Sequence, residues 1–254
     1  MQNGLLIGLS RQVALERELA VIANNIANIN TSGFKSDGAL FEEYVSKTAR
    51  AGKLANDNKV SFVRDRATWI DMSQGAMQRT GNPTDVAIDG TGFLAIQTPR
   101  GERYTRNGAF QINQLGQLVT SDGNPVLGDK GPIKFQPKDR NIRISPDGTI
   151  SVQEGENVDT EAQRGKLRLV AIENPSALQK DGASSFAVPD GVNVDPDKTS
   201  HFVQGSIEKS NVRGVIEMTR MIDVTRSYTQ VANILSQQGD MERTAIDKLS
   251  EVPN

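Results

Sequence analysis

The residue types that most often carry chemistry are nearly absent from this chain. It has 254 residues, no cysteine and a single histidine, His201. Without cysteine there are no disulfides, no thiolate nucleophiles and no cysteine-ligated zinc or iron–sulfur sites. As a general base, His201 needs a nucleophile or an orienting carboxylate beside it, and its context, Ser200-His201-Phe202, indicates neither. It reads as a surface or packing residue. Gly90-Thr91-Gly92-Phe93-Leu94-Ala95 fits the loose G-x-G-x-x-A form of a dinucleotide fingerprint. That fingerprint needs a helix after it. Here Phe93–Ile96 reads as a strand, so the glycines read as a turn. Asp85, Asp89 and Gly90 suggest a fragment of a calcium loop, but Ala87 and Ile96 stand where ligands are required. No G-x-S-x-G and no P-loop occurs, and no pair of carboxylates is singled out for acid–base work. The expectation is a non-enzyme with no catalytic residues, no cofactor and no metal.

Bulk composition narrows the partners. The 29 basic and 31 acidic residues give a formal net charge of −2. Nucleic-acid binders usually carry a basic excess, and the basic residues here are scattered. Neither nucleic acid nor a small-molecule substrate is expected. At 36% hydrophobic and 24% charged, the chain has enough apolar material for a core. No run approaches the roughly 20 apolar residues of a membrane helix. A cleaved secretory leader needs a basic start ahead of its apolar stretch. Here the first basic residue, Arg11, follows Leu5–Ile7. The chain is therefore expected in the cytoplasm, or exported without a cleaved leader.

Proline placement shows how the elements must be arranged. Nine of the ten prolines lie between Pro83 and Pro196, and the tenth is Pro253. Proline disrupts helix interiors, so the two ends are free to be helical. Leu15, Leu19, Ile22, Ile26 and Ile29 step by 4, 3, 4 and 3, the seam of a helix packing on a partner. Leu5, Leu9 and Val13 form a second stripe. This helix is predicted to stop near Asn30-Thr31-Ser32-Gly33, where glycine can take the left-handed conformation. At the other end Met221, Val224, Tyr228, Val231 and Leu235 step by 3, 4, 3 and 4, and Met241, Ala245 and Leu249 continue the face. From Val215 to Leu249 this predicts about 50 Å of helix at 1.5 Å per residue.

The middle follows different rules. Asp-Gly pairs at 89–90, 122–123, 147–148, 181–182 and 190–191, with Asn107-Gly108, mark tight turns. Between them lie short runs that read as strands: Phe93–Ile96, Gln117–Thr120, Ile142–Ile144, Ile150–Val152 and Leu167–Ile172. Residues 36–82 carry few signals and read as an irregular/β connector, with a polar stretch at Gly52–Asn58 and candidate strands at Val60–Val63 and Thr68–Met72. The predicted fold class is α+β. Long N- and C-terminal helices pair as a coiled-coil-like core domain split between 1–35 and 206–254, and an all-β outer domain occupies 83–205. Long single helices are marginal in water. Each end therefore needs partners and is expected to be largely disordered without them.

Three asparagines interrupt the N-terminal seam. Asparagine is a mediocre helix former because its amide competes with the backbone. At a helix interface it can fix register at a cost in stability. We assign Asn24, Asn25 and Asn28 to such an interface and Asn30 to a fraying end. The expected assembly interface comprises these three residues with Leu15, Leu19, Ile22, Ile26, Ile29, Met221, Val224, Tyr228, Val231 and Leu235.

The string carrying these asparagines, Val21-Ile22-Ala23-Asn24-Asn25-Ile26-Ala27-Asn28-Ile29-Asn30-Thr31-Ser32-Gly33-Phe34-Lys35, resembles the N-terminal signature of the axial proteins of the bacterial flagellum, its rod and hook. Three further strings resemble the same family: Thr80–Phe93 and Tyr104–Phe110 at the start of its β-rich domain, and Gly205–Val212 with the helix after it at the C-terminus. Hook proteins are longer than 254 residues allow. The opening Met1–Gln12 is most similar to the proximal-rod branch. Thr225-Arg226-Ser227-Tyr228-Thr229 departs from the Gln-Arg-Ala-Tyr-Glu-like string usual in the distal-rod branch. The resemblance implies a structural rod subunit that stacks helically around a channel. Its contacts would be heterologous and non-closing, the kind that builds filaments. It also implies type III export, a periplasmic location in the basal body, and three sets of partners: other rod proteins, further copies of the chain and the export apparatus. The alternatives are a distal-rod subunit, a subunit of a non-flagellar tube, and a carboxylate-dependent glycan hydrolase.

Overall fold

A computed structural model describes residues 2–50, 59–154 and 161–250, with side chains over 6–40, 68–154 and 161–248. Gly52–Asn58 and Pro253 lie outside the described residues, as do the side chains of Leu5, Val60–Val63 and Leu249. The chain is α+β, with helices at its two ends and many strands between. It divides into two compact units. The helical unit takes the residues up to Ala27, Asp37–Trp69, and the residues from Arg213 onward. The β unit takes Asn28–Ser36 and Ile70–Val212.

In the helical unit, α1 spans Gln2–Ala27 and α2 spans Gly214–Ser250. The 37 residues of α2 make a rod of about 55 Å. Both helices follow the periodicity of the sequence, but α1 stops earlier than expected. It ends at Ala27, and residues 28–30 form a turn in which Thr31 N–H donates to Asn28 O at 3.1 Å. The last step of the seam, to Ile29, is therefore not a helical one, because a chain turning away at Ala27 cannot extend the face. Gly33 is left-handed, with φ +68°, as the end of the signature string suggested. The stretch 36–82 is more regular than it read. It contains a two-stranded sheet, β1 at Asp37–Arg50 and β2 at Lys59–Ile70.

The β unit is a set of small antiparallel sheets. The largest has six strands in the order Gln179–Lys180, Ser185–Ala187, Gly101–Thr105, Phe93–Thr98, Leu169–Ile172 and Val194–Pro196. A three-stranded sheet joins Asp139–Ile144, Thr149–Glu154 and Glu161–Lys166. Val86–Asp89 pairs with His201–Gln204, and Met77–Arg79 with Ser206–Glu208, so the beginning and end of the unit are laced together. All five Asp-Gly pairs place their glycine at positive φ, the backbone that tight turns require. Asn107-Gly108 behaves differently. A Cβ on Gly108 would lie 1.7 Å from Val86 O, so this glycine serves close packing of two backbones.

Two apolar clusters fill the unit. One gathers Val86, Ile88, Leu94, Ile96, Phe110, Leu118, Val126, Ile150 and Phe202 with their neighbours. The other gathers Phe93, Ala95, Tyr104, Val170, Leu178 and Phe186, with Phe93 and Phe186 edge to face at 5.9 Å. The alternation along each strand assigns its residues: Leu94 and Ile96 face the first cluster, Phe93 and Ala95 the second.

Candidate assembly interface and buried charge cluster

Within the helical unit α1 and α2 run antiparallel, side by side. Going up α1, Gly8 meets Leu235, Gln12 donates to the Tyr228 hydroxyl at 2.9 Å, Glu18 faces Arg220 at 3.9 Å and Asn25 reaches Glu217 at 3.5 Å. The contact has a small apolar heart of Leu15, Ile22 and Val224, with Leu19, Ile26, Tyr228 and Val231 partly buried against it. Leu235 is half-buried, and Met221 is exposed. Asn24 is exposed, while Asn28 and Ile29 are half-buried and lie beyond the end of α1. The expected interface residues thus divide. Most line the contact between the chain's own helices, while Met221 and Asn24 face outward. A second set of apolar residues is exposed along α2: Val215, Ile216, Met218, Ile222, Ile234, Met241 and Ile246.

Asn25 has a definite structural role. It is 1% exposed. Its amide donates to Asp37 O at 2.8 Å and accepts from Asp37 N–H at 2.9 Å. This two-point clasp imitates a β-ladder and fixes where β1 begins. The bond to Glu217, which sits in the first turn of α2, ties the same amide to the helix pair. Glu217 in turn accepts from Arg220 at 3.3 Å. A carboxylate in a first turn is also favoured by the helix dipole.

Sequence reasoning missed the centre of the β unit, where Lys35, Arg106 and Glu208 meet. Their side chains are 2%, 3% and 0% exposed. Glu208 accepts from Lys35 Nζ at 2.6 Å and Gly75 N–H at 2.9 Å on one oxygen, and from Arg106 Nε at 2.9 Å on the other. Lys35 also donates to Ser73 O at 2.6 Å. Arg106 donates to Gly92 O and, at 2.8 Å, to Gly90 O, and its guanidinium lies 5.7 Å from the centre of the Phe93 ring. One carboxylate therefore serves two cations, and backbone carbonyls take up the surplus positive charge. Burial pulls the Lys35 ammonium below the usual lysine value. Glu208 opposes that shift by charge and hydrogen bond, and Arg106 reinforces it by repulsion. A buried charge that lost its partners would be costly.

This cluster explains the family-like strings. Lys35 ends the first, Gly90 and Gly92 lie in the second, Arg106 is in the third and Glu208 in the fourth. Gly33 N–H donates to Glu208 O at 2.8 Å, and a Cβ there would sit 2.3 Å from Asn107 N. The Gly90-Thr91-Gly92 turn thus cradles a guanidinium of its own chain. The Ser200 hydroxyl is likewise engaged. It donates to Asp197 and accepts from Gly92 N–H at 3.1 Å. His201 is exposed and lies in a strand paired with Asp89.

Comparison with known proteins now decides the family. Residues 5–35 match the family described as "Flagella basal body rod protein", 87–152 the "Flagellar hook protein FlgE/F/G D1 domain", and 203–248 the "Flagellar basal body rod FlgEFG protein C-terminal". The chain is 36% identical to the flagellar basal-body rod protein FlgF of Caulobacter vibrioides, across 99% of this chain and 100% of that protein. It is 35% identical to FlgF of Mesorhizobium japonicum, across 98% of each. Identity to the flagellar basal-body rod protein FlgG of Bacillus subtilis is 32%, across 93% of this chain and 95% of that one. The chain belongs to the flagellar basal-body rod protein family. That family is structural, and the chain is not an enzyme. No helix among the described residues is long and apolar enough to cross a membrane.

Proposed function

We propose that this protein is a structural subunit of the flagellar basal-body rod, assembling helically with other rod proteins and with copies of itself into a hollow, torque-transmitting shaft. The observation that carries the reading is the set of three family matches, in order and spread from residue 5 to residue 248. The exposed apolar residues of α2 support it, since residues such as Met218, Ile222 and Met241 gain stability when a neighbour removes them from water. In this reading the two terminal helices form a coiled-coil-like core domain, completed by helices of adjacent subunits. Of the expected interface residues, Leu15, Leu19, Ile22, Asn25, Ile26, Val224, Tyr228, Val231 and Leu235 join the chain's own helices into that core, Asn28 and Ile29 follow the end of α1, and Asn24 and Met221, with the exposed Met218 and Ile222, meet neighbouring subunits. We place the subunit in the proximal rod, with FlgF, on the strength of the identities to FlgF relatives. Export proceeds through the type III apparatus to a periplasmic site in the basal body.

The test is the double substitution Met218→Asp/Ile222→Asp, followed by electron microscopy of basal bodies. Incorporation is expected to be lost while the thermal transition of the β unit is unchanged. Normal rods carrying the variant would overturn the assignment of this surface.

A further inference from the structure

We propose that residues 28–36 form a latch, a separable segment that docks into and leaves the β unit as one piece while the core of the unit stays closed. Its attachments are of an unusual kind. The segment contains no strand and no helix, so no ladder secures it. It is held instead by bonds at single points. Gly33 N–H donates to Glu208 O, Asp71 N–H donates to Ser36 O at 2.9 Å, and Asn211 Oδ1 accepts from Ser36 N–H at 2.8 Å. The Lys35 ammonium enters the unit as an inner bolt on Glu208 and Ser73 O. Lys180, on an edge strand of the six-stranded sheet, closes over the outside. Its ammonium donates to Lys35 O at 2.6 Å and stands 4.1 Å from the centre of the Phe34 ring.

Two further observations make the segment separable. Neither apolar cluster of the β unit includes a residue from 28–36, although Phe34 is only 1% exposed. Phe34 is buried outside both clusters, under the Lys180 ammonium. Second, Arg106 already pairs with Glu208, so Lys35 is the surplus cation of the cluster. Its withdrawal leaves the carboxylate with one cation and the Gly75 N–H, still neutralised. Segments outside both the apolar cores and the strand ladders open at lower free energy than the cores beside them.

The experiment is amide hydrogen exchange on the full-length chain and on two variants, Lys35→Met and Lys180→Met. The reporter is the Gly33 amide. The controls are the amides of Val86 and Val126, bonded to Gly108 O and Leu118 O beside the first cluster. In the unmodified chain the Gly33 amide is expected to exchange at least about tenfold faster than both controls, with a shallower dependence on added urea, and in Lys35→Met it should exchange faster still. Lys180→Met should accelerate the Gly33 amide by a smaller factor. A Gly33 amide that exchanges no faster than the controls, with the same urea dependence, would show that the segment is part of the cooperative core, and would overturn the proposal. An unchanged Gly33 amide in both variants would also overturn it. If Lys35→Met does not fold, Lys180→Met decides by the same criteria, and failure of both to fold counts against the latch. None of these outcomes depends on rod assembly.

Discussion

The helical unit and the β unit solve the same problem in opposite ways. In the β unit, the large side chains close into two clusters, and even a three-charge group is fully hydrogen-bonded inside. In the helical unit, among the described residues, Leu15, Ile22 and Val224 form a small buried heart, while α2 keeps Val215, Ile216, Met218, Ile222, Ile234, Met241 and Ile246 exposed. The hydrophobic contribution scales with apolar area removed from water. The β unit has collected nearly all of its share, whereas the helical unit leaves much of its share uncollected. One half of the molecule gathers its apolar side chains into its own clusters, and the other leaves a row of them exposed on α2.

The largest expected effect tests this contrast directly. In dilute solution, trypsin should cut at Arg220, Arg226 and Arg243 of α2 at least about tenfold faster than at Arg106 or Arg168 of the β unit, because cleavage follows the population of locally opened chain. Equal resistance of the two units, measured by mass spectrometry of the early fragments, would break the comparison.

The next effect sharpens it within the β unit. Glu208→Ala removes the one acceptor that serves Lys35, Arg106 and the Gly75 N–H, so two buried cations are left without their carboxylate. Breaking a buried pair in this way costs about 3–5 kcal/mol. Lys35→Met should cost clearly less, since Arg106 still neutralises Glu208. Urea denaturation of the β unit, followed by its aromatic signals, should rank Glu208→Ala well below Lys35→Met. The reverse order would show that the carboxylate is not the hub.

These two predictions bracket what could be read from the chain. Periodicity gave both helices because their apolar spacing is local, and the Asp-Gly pairs gave the turns because backbone sterics are local too. The charge cluster was illegible because its partners are 173 and 102 residues apart, and an isolated Lys, Arg or Glu reads as solvated. A weak signal was present: Lys35 follows Phe34, and Glu208 follows Ile207, in strings otherwise rich in glycine and small polar residues. Asn25 stands out in the sequence as needing a reason, but spacing does not reveal that its amide bonds the Asp37 backbone twelve positions on. The strands Asp37–Arg50 and Lys59–Ile70 are muted in the sequence because charged residues such as Glu42, Glu43, Arg64 and Asp65 interrupt the alternation of apolar and polar positions.

The smallest effect concerns pH within the β unit. In the β unit, hydrogen bonds from Arg164 hold the Asp139 carboxyl below its ordinary 3.8, against a smaller opposing effect of burial. At Asp197 burial pushes the other way, but bonds from the Ser200 and Thr199 hydroxyls and amides outweigh it, and this carboxyl too is lowered. A carboxyl whose folded value is depressed contributes stability that is fully present above its unfolded value. That contribution fades as pH falls from about 3.8 through the folded value. Asp139→Asn should therefore destabilise the β unit at neutral pH, and the deficit relative to the unmodified protein should shrink as the solution is acidified below the unfolded carboxyl value. Denaturant midpoints at a series of pH values read this directly. A deficit that stayed constant with pH would mean that Asp139 acts through packing and its neutral hydrogen bonds, and that the charge held beside Arg164 adds nothing to the unit's self-sufficiency.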